Sequence, residues 1–555
     1  MEFNLALVFR AIAQSISDRH CVIYRDRMFT YAEIDRRTDE LARYFTASGL
    51  GVIRAPRSEL EQWQSGQDHV GIMLYNCNEY LETMLAAYKA RLAPFNINYR
   101  YTISELAYLL ADASPRALVF HSKFASDVAE AIRESSMTVE VLIQVPDDSD
   151  SGLLSGATWY DDSLASAPES VSLDEEALSG DDLNIIYTGG TTGMPKGVLW
   201  RQADAFITSL AGRRKDRSET ASLAEVADRA RTGARAIMPT SPFMHGGGQI
   251  PAFQKWHRGG TVVIQSDPVH LDPRDVWSTV ARHRVGEIMI VGDAFALPLI
   301  DELKTSRDHY DLSSVGIIFS GGAMLSETNK RAFLSLLPGI RVIDAIGSTE
   351  SGPIATSMAT GARPALPGHA KTFRPSEDTA ILNESRRAVL SPASREIGWL
   401  ARSGRVALGY LNDPKRTAEA FPTIVGVRYL IIGDRARYVG SDEIEFLGRE
   451  DFVINTGGEK VYSFEVEEVL KSHPAVAEAI VLGRPHPRWG NEVCAIVQLR
   501  PQKIVRDSEL AAYCMENLAG YKAPRTFFFE SEMLRTPAGK IDLKWARSTI
   551  IGAYA

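Results

Sequence analysis

Short apolar runs alternate with amphipathic stretches along most of the chain. The amphipathic pattern predicts helices over the first ten residues and after Thr30, a candidate N-cap residue. The apolar runs that predict buried strands are 69–75, 117–121, 139–145, 183–188, 262–265, 287–291, 315–320 and 341–346. This alternation is typical of a layered α/β architecture with parallel sheet.

The pattern changes in two places. The acidic, serine-rich segment 147–182 predicts a solvated connection. Beyond about residue 450, an acidic helix at 464–471 and a strand at 477–482 predict a smaller α+β unit. Because 555 residues exceed one hydrophobic core, we expect a large multi-sheet N-terminal domain, residues 1–449, and a small α+β C-terminal domain, residues 450–555.

Composition narrows the class of protein. Hydrophobic residues make up 45% and charged residues 24%, as in ordinary soluble proteins, and the net charge of -9 argues against nucleic acid as a partner. Four cysteines without CxxC spacing disfavour a disulfide scaffold or zinc site. No apolar run approaches the roughly 20 residues that span a bilayer, and the N-terminus lacks the basic region of a signal peptide. We expect a cytoplasmic protein with at most peripheral membrane contact; a homodimer is left open.

The densest motif is the run 187–197 (YTGGTTGMPKG). Its glycines let main-chain N–H groups approach an anion, and its threonines and lysine add hydroxyl donors and positive charge. The predicted phosphate-binding residues are Thr188, Gly189, Gly190, Thr191, Thr192, Gly193 and Lys196. It is not a Walker loop, because Pro195 precedes the lysine; a flexible surface loop is the alternative. The run closely resembles the phosphate-binding signature of the adenylate-forming superfamily, which contains acyl-CoA synthetases, luciferases and peptide-synthetase adenylation domains.

Two further segments resemble the nucleotide site of that superfamily. Residues 319–325 (FSGGAML) resemble its adenine-binding Gly-Gly-Ala-Pro motif, with Met324 in place of proline. Residues 344–350 (DAIGSTE) follow another strand, and the resemblance implies that Asp344 accepts from the adenine amine while Ile346 replaces the usual stacking aromatic ring. The nucleotide-binding residues predicted here are Gly322, Ala323, Asp344, Ala345, Ile346, Gly347 and Ser348. Thr349 is expected to donate to phosphate or to the reacting carboxylate, and Glu350 to bind Mg²⁺.

Residues 242–248 (PFMHGGG) predict one wall of an acyl pocket. They resemble the family's Pro-Leu-Phe-His motif, whose histidine helps gate that pocket, so His245 is a candidate catalytic residue. Gly246, Gly247 and Gly248 are expected to line the pocket, where they either make extra room for the acid or only loosen a turn. A satisfied structural histidine is the alternative.

The remaining motifs lie at the domain boundary and beyond it. Asp434 and Arg449 match the order of the family residues that hold ribose, with a surface ion pair as the alternative. Asp451 falls at the hinge position about which the small, mobile domain turns. Gly457 and Gly458 predict a pantetheine tunnel for coenzyme A or a plain turn, and Lys540 in residues 536–540 (TPAGK) resembles the family's catalytic lysine.

These motifs occur in family order over nearly the whole chain. The resemblance implies an ATP-dependent acyl-CoA synthetase that uses Mg²⁺, forms an acyl-AMP and transfers the acyl group to coenzyme A. Segments 198–202, 344–350 and 455–462 resemble the fatty-acid and steroid side-chain branch, so we expect a medium-chain, long-chain or steroid side-chain carboxylic acid as substrate. The alternatives are an acyl-AMP ligase that serves an acyl carrier protein, and a non-catalytic nucleotide sensor. The presence of Lys540 and Glu350 disfavours the sensor, and the short tail after Lys540 favours a free-standing CoA ligase.

Overall fold

Three large sheets and one two-stranded sheet carry the strands of the described residues. The computed structural model describes residues 2–188, 194–363, 372–456, 459–536 and 540–552. In chain order the strands are β1 (His20–Tyr24), β2 (Arg27–Thr30), β3 (His69–Met73), β4 (Ala93–Asn96), β5 (Ala117–His121), β6 (Val141–Val145), β7 (Ala157–Trp159), β8 (Leu183–Thr188), β9 (Lys196–Arg201), β10 (Ile237–Pro239), β11 (Val262–Ile264), β12 (Glu287–Ile290), β13 (Ile317–Gly321), β14 (Arg341–Ser348), β15 (Gly352–Thr360), β16 (Thr372–Pro375), β17 (Thr379–Leu382), β18 (Gly398–Arg402), β19 (Gly409–Tyr410), β20 (Thr423–Ile424), β21 (Val427–Arg428), β22 (Leu430–Tyr438), β23 (Ile444–Arg449), β24 (Val453–Thr456), β25 (Glu459–Tyr462), β26 (Val476–His486), β27 (Gly490–Leu499) and β28 (Thr526–Phe529).

The helices cover and separate these sheets. They are α1 (Leu5–Ser15), α2 (Tyr31–Ala47), α3 (Asn78–Lys89), α4 (Ile103–Ala113), α5 (Ala125–Ser135), α6 (Tyr160–Ala165), α7 (Gln202–Ser209), α8 (Leu223–Arg231), α9 (Gly246–Trp256), α10 (Pro273–Arg282), α11 (Gly292–Ser306), α12 (Glu327–Leu336), α13 (Pro414–Ala420), α14 (Ser463–Ser472), α15 (Asp507–Asn517) and α16 (Leu543–Gly552). Thr30 caps α2 as predicted. Its side-chain oxygen accepts from the backbone N–H of Glu33, and the Glu33 carboxylate accepts from the backbone N–H of Thr30. Among the helices in the described ranges, none is long and apolar enough to cross a membrane.

The sheet topology confirms the predicted layered α/β architecture. The largest sheet runs β17-β18-β22-β23-β16-β15-β14-β13-β12-β10-β11-β1-β2, and its centre from β14 to β1 is parallel. The second sheet runs β19-β9-β8-β4-β3-β5-β6-β7. One core cluster joins the two sheets through helices such as α1, α2 and α9, around Phe9, Tyr31 and Trp256. A third sheet, β25-β24-β27-β26 with β28 beside β27, belongs to the C-terminal part.

The segment 147–182 differs from the expected solvated connection. β7 within it adds a parallel strand to the second sheet beside β6. In α6, Tyr160 is 1% exposed and its hydroxyl donates to Glu82 Oε2 at 2.9 Å. Ser and Asp are the commonest residues of this segment, so its average composition is polar. That average does not reveal the few apolar residues that pack the segment against the sheet.

The turn between β20 and β21 stores backbone strain. Val425 has φ +50° and is 88% exposed. The left-handed region costs an ordinary residue about 1–2 kcal/mol, and asparagine enters it more readily than a β-branched residue. We therefore expect Val425→Asn to raise the free energy of unfolding by about 1 kcal/mol, measured by urea denaturation. Val427→Asn, in the neighbouring strand, is the control and should give no gain; equal effects at both positions would contradict the strain argument.

Candidate active site

β8 and β9 hold the two ends of the predicted phosphate loop. The strands are antiparallel, with Thr188 opposite Lys196, so the loop begins and ends at neighbouring positions. Five predicted residues lie outside the described residues: Gly189, Gly190, Thr191, Thr192 and Gly193. Desolvation lowers the pKa of Lys196, repulsion from Arg416 adds to this effect, and the charge of Glu350 opposes it. Lys196 therefore lies close to the predicted metal ligand.

Asn96, at the end of β4, joins this strand pair to the histidine motif. Its side-chain oxygen accepts from the backbone N–H of Tyr187 at 2.8 Å. Its amide nitrogen donates to the carbonyl oxygens of Tyr187 at 2.9 Å and Met244 at 2.6 Å. Since Asn96 is only 3% exposed, these bonds fix the phosphate strand relative to His245.

β13 and β14 bring the two predicted adenine-binding segments side by side. They are parallel neighbours, with Gly321 opposite Ala345. Gly322 has φ +84°, a conformation that glycine adopts without strain. Gly322 is exposed and Ala323 half-buried, so open backbone lies next to Ala345.

The side chains of β14 alternate between a buried and a more open face. Asp344 and Ile346 lie on the buried face, and Ala345 on the open one. The Asp344 carboxylate is fully buried, 3.2 Å from Lys330 Nζ. Ile346 packs in an apolar cluster that Met324 also contacts. The adenine contacts of Asp344 and Ile346 stay predictions, and both side chains already have protein neighbours.

The turn between β14 and β15 carries Thr349 and Glu350. A Cβ atom at Gly347 would lie 2.3 Å from the oxygen of Gly352, so this position requires glycine. The Ser348 hydroxyl accepts from the N–H of Glu350 at 3.2 Å. The local sequence therefore shapes a tight turn that presents both predicted catalytic residues.

Two side chains from distant strands hold this turn in place. Trp200 Nε1 donates to the carbonyl oxygen of Thr349 at 2.8 Å, and the Tyr410 hydroxyl donates to Glu350 Oε1 at 2.8 Å. Both aromatic residues are buried. Sequence reasoning missed these two residues and Asn96. An aromatic residue with one hydrogen-bonding group beside the phosphate motif was the available signal for Trp200. Tyr410 lies beside no motif, so the sequence offered no such signal for it.

The residues around Glu350 fit a magnesium ion. Mg²⁺ usually keeps several waters and is bound through one or two carboxylates plus substrate phosphates. Within the described ranges, no group of three or more His, Cys, Asp or Glu residues is arranged to hold a metal ion. A single carboxylate oriented by Tyr410 agrees with a site that substrate phosphates complete.

Asp434 and Arg449 form the pair that the sequence predicts. They lie opposite each other on β22 and β23, with Arg449 Nε 3.5 Å from Asp434 Oδ1. Desolvation raises the pKa of Asp434, although Arg449 acts in the opposite direction. The convergence is as expected, and ribose binding by the pair stays a prediction.

Lys540 lies beside these charged residues although it comes from the C-terminal part. Desolvation and repulsion from Arg449 lower its pKa, while Glu350 and Asp434 raise it. Since charges shift a neighbour's pKa only at short range, Lys540 lies near all three residues. By its surface area Lys540 is exposed.

The remaining predicted positions follow β23 in the chain. Asp451 falls in the 3₁₀ turn Glu450–Phe452, directly after β23 ends at Arg449. Gly457 and Gly458 lie outside the described residues. The hinge, the boundary between residues 449 and 450, and the tunnel for coenzyme A stay predictions.

His245 and the glycines that follow it begin α9. His245 is the N-cap residue, and Gly246–Gly248 form the first turn. A Cβ atom at Gly248 would lie 2.5 Å from the oxygen of Pro242, so close backbone contact requires this glycine. At Gly247 and Gly246 the nearest atoms would be a side-chain hydroxyl at 3.3 Å and a methyl at 3.5 Å. Gly246 has room for a Cβ atom, whereas at Gly247 the Ser241 hydroxyl would have to shift by a few tenths of an ångström. Both stay predicted pocket residues.

An apolar pocket borders Thr349. Its cavity volume is about 20 Å³. Residues from five elements and the Thr349 turn line it: Met84, Tyr88, Asn184, Ile186, Trp200, Ala205, Ser209, Leu210, Gln249, Ile250, Phe253 and Thr349. The two amides on its wall are engaged, because Asn184 accepts from Tyr88 at 3.0 Å and Gln249 donates to Tyr80 at 3.1 Å. The pocket therefore suits an apolar group attached to a carboxylate.

Comparison with known proteins gives consistent matches over the whole chain. The family model described as AMP-binding enzyme matches residues 9–411, and that of the AMP-binding enzyme C-terminal domain matches residues 465–540. The medium-chain acyl-CoA ligase Mig of Mycobacterium avium is 42% identical over 99% of this chain and 98% of its own. The 3-oxocholest-4-en-26-oate–CoA ligase of Rhodococcus rhodochrous is 35% identical over 99% and 96%. The crystal structure of ATP-bound MatB from Rhodopseudomonas palustris shares the fold, with a TM-score of 0.81 at 22% identity and full coverage of both chains.

Proposed function

The chain belongs to the family of AMP-binding enzymes, and from this premise we propose that its substrate is a medium-chain fatty acid or a steroid side-chain acid. The chain is an AMP-forming acid–thiol ligase that uses ATP, Mg²⁺ and coenzyme A. The observation that carries the assignment to this site is the Asp434–Arg449 pair on β22 and β23, whose charges, with that of Glu350, shift the pKa of Lys540.

The site residues supply electrostatic stabilisation and no covalent nucleophile. A carboxylate is a poor acyl donor because its leaving group would be oxide; attack of its oxygen on the α-phosphorus of ATP expels pyrophosphate and gives acyl-AMP. We propose that Lys540 and Lys196 stabilise the negative charge that grows on the phosphate oxygens. Glu350 would hold Mg²⁺, which supplies further charge neutralisation when bound. The thiol of coenzyme A then attacks the acyl carbon, and AMP leaves.

The pocket beside Thr349 is the proposed binding site for the acyl group. Its lining is largely apolar, and the relatives are named for apolar acids. Thr349 lies at one end of the pocket, so a carboxylate placed there would direct the chain of the acid towards Ala205 and Phe253.

A panel of acids tests the proposed function. The purified protein is incubated with ATP, Mg²⁺ and one acid at a time, with and without coenzyme A, and AMP, acyl-AMP and thioester are measured. We expect medium-chain or steroid side-chain acids to give thioester only with coenzyme A. Acyl-AMP that accumulates in the presence of coenzyme A would favour a carrier protein as acceptor. No AMP with any acid would refute the proposal.

Ala205→Leu tests the position of the acyl pocket. Ala205 is 7% exposed and lines the pocket, so the larger side chain fills space there. We expect kcat/KM for the longest accepted acid to fall by about tenfold or more, with the shortest acid and the KM for ATP unchanged. Ala511→Leu in α15 is the control for the same substitution away from the pocket. A uniform loss for all acids would indicate a disturbed fold and would contradict the assignment.

We also propose that the enzyme acts in the cytoplasm. Its cysteines, Cys21, Cys77, Cys494 and Cys514, are free and buried, which suits a reducing compartment. Any membrane contact is proposed to be peripheral, and a homodimer is the candidate assembly.

A further inference from the structure

A chain of buried polar contacts connects the predicted adenine loop to the loop that carries Lys540. Its members, called the polar link below, are Asp293 in α11, Lys471 in α14, Glu478 in β26 and Arg535. Lys471 Nζ is 3.4 Å from Asp293 Oδ2 and 3.0 Å from Glu478 Oε1. Arg535 Nη2 is 2.9 Å from Glu478 Oε2. The polar link therefore crosses from the large part of the chain to the C-terminal part.

At one end of the polar link, Asp293 holds the segment that follows Gly322 and Ala323. Asp293 Oδ1 accepts from the N–H and the hydroxyl of Ser326, both at 2.9 Å, and from the amide of Asn329 at 2.7 Å. The backbone N–H of Asp293 donates to the carbonyl oxygen of Met324 at 3.2 Å. One carboxylate thus binds the adenine loop through one oxygen and Lys471 through the other.

At the other end, Arg535 lies at the base of the catalytic loop. Arg535 forms an antiparallel bridge with Ile541, and the N–H of Thr536 donates to the carbonyl oxygen of Lys540 at 2.6 Å. A shift of Arg535 would therefore move Lys540 with it. The contacts run without a gap from the nucleotide loop to the lysine that is proposed to act on the α-phosphate.

The contact between Asp293 and Lys471, which joins the large part of the chain to the C-terminal part, is buried. The side chains of Asp293 and Glu478 are 3% exposed, and that of Lys471 is 10% exposed. Desolvation lowers the pKa of Lys471, but attraction to Glu478 and Asp293 outweighs this and raises it well above its usual value. Lys471 is therefore charged at neutral pH. Separating a buried pair leaves an uncompensated charge, which costs more than separating an exposed pair.

We infer that Asp293 is a positioning residue for adenylation: its pairing with Lys471 holds the C-terminal part in the orientation that places Lys540 at the nucleotide. The inference rests on the proposed function for the reaction it assists. The adenine loop holds Asp293 through its hydrogen bonds, and Asp293 in turn holds Lys471. Glu478 and Arg535 then connect Lys471 to the segment that carries Lys540. The hinge predicted at Asp451 implies a different orientation for coenzyme A attack, so under this inference the same pair does not assist that step.

Asp293→Asn tests the kinetic consequence. The amide keeps one oxygen for Ser326 and Asn329 but removes the negative charge that faces Lys471. We expect acyl-AMP formation to slow by about tenfold, as for a misplaced catalytic group, with thioester formation from pre-made acyl-AMP unchanged. Lys471→Arg, which keeps the charge, should retain most of the adenylation rate. Equal losses in both half-reactions, or no loss in either, would overturn the inference.

Two further variants distinguish the effect of breaking the polar link from a general loss of stability. Lys471→Met should slow adenylation at least as much as Asp293→Asn, because it also removes the contact with Glu478. The double variant should be no slower than Lys471→Met, because without the lysine the charge of Asp293 has no partner left to hold. Lys522→Met is the matched control. Lys522 pairs with Glu465 at 2.7 Å inside the C-terminal part, so its loss should leave adenylation unchanged.

Amide hydrogen exchange tests the link without turnover, with AMP as the probe. In the wild type, AMP should slow exchange in α14, which carries Lys471; in Asp293→Asn this added protection should be lost. AMP-dependent protection that is equal in both proteins overturns the inference, and so does its absence from the wild type. The acid panel separately reports whether the proposed function holds, so the two failures are distinguishable.

Discussion

Replacing Lys540 with alanine is expected to slow acyl-AMP formation by about 10²–10³-fold, the usual cost of losing a donor aimed at developing charge. The lysine lies beside Glu350, Asp434 and Arg449 in the orientation described here. Thioester formation from pre-made acyl-AMP should be largely retained, because that step develops no new charge at the site of pyrophosphate departure. Pyrophosphate release and thioester formation are measured separately.

Lys544→Ala is the matched control for this prediction. Lys544 lies in α16, four positions beyond Lys540, and its side chain is exposed. The control should keep both half-reactions. Pyrophosphate release by Lys540→Ala at the wild-type rate would remove the lysine from the mechanism.

Glu350→Gln is expected to slow acyl-AMP formation by a similar factor of about 10²–10³, since it removes the proposed carboxylate ligand of Mg²⁺ with little change in shape. Tyr410→Phe should have a smaller and different effect. It keeps the charge of Glu350 but removes the 2.8 Å hydrogen bond that orients it. We expect the Mg²⁺ concentration for half-maximal rate to rise, with the rate at saturating Mg²⁺ nearly retained.

Magnesium titrations of AMP formation measure both effects. Tyr44→Phe is the control for loss of a tyrosine hydroxyl, because Tyr44 donates to Thr158 at 3.2 Å, away from the site. If Glu350→Gln kept the wild-type rate and Mg²⁺ dependence, the metal assignment would be wrong. If Tyr410→Phe changed only the KM for the acid, its proposed orienting role would be wrong.

The predicted nucleotide site illustrates what local sequence can supply. Each motif follows or precedes a strand, and parallel strands bring their carboxyl ends to one edge of a sheet. The register of β13 with β14 places Gly321, the residue before Gly322, beside Ala345. The antiparallel register of β22 with β23 places Asp434 beside Arg449. These neighbours were predictable because the order of the strands along the chain and the residues of each motif can both be read from short stretches of sequence.

The orientation of single side chains was not predictable in this way. Asp344 faces Lys330 in the buried layer, although its motif suggested a contact with adenine. Strand alternation sets the two faces, but packing against α12 decides which face is closed. For the glycines after His245, the structure separates Gly248, which close backbone contact requires, from Gly246, which has room for a Cβ atom, and Gly247, where only a side-chain hydroxyl is close.

By itself, the sequence determined the α/β class, the order of the motifs, the adenylate-forming resemblance and the residues that are predicted to carry charge to the nucleotide. Those features depend on periodicity and on short runs of residues, which a chain displays without folding. Only the tertiary structure decided that Tyr410 orients Glu350, 60 positions away, and that Lys471 meets Asp293, 178 positions away. Such pairs leave no local signature, because a buried hydrogen bond or ion pair depends on which surfaces meet when the sheets and the C-terminal part pack together.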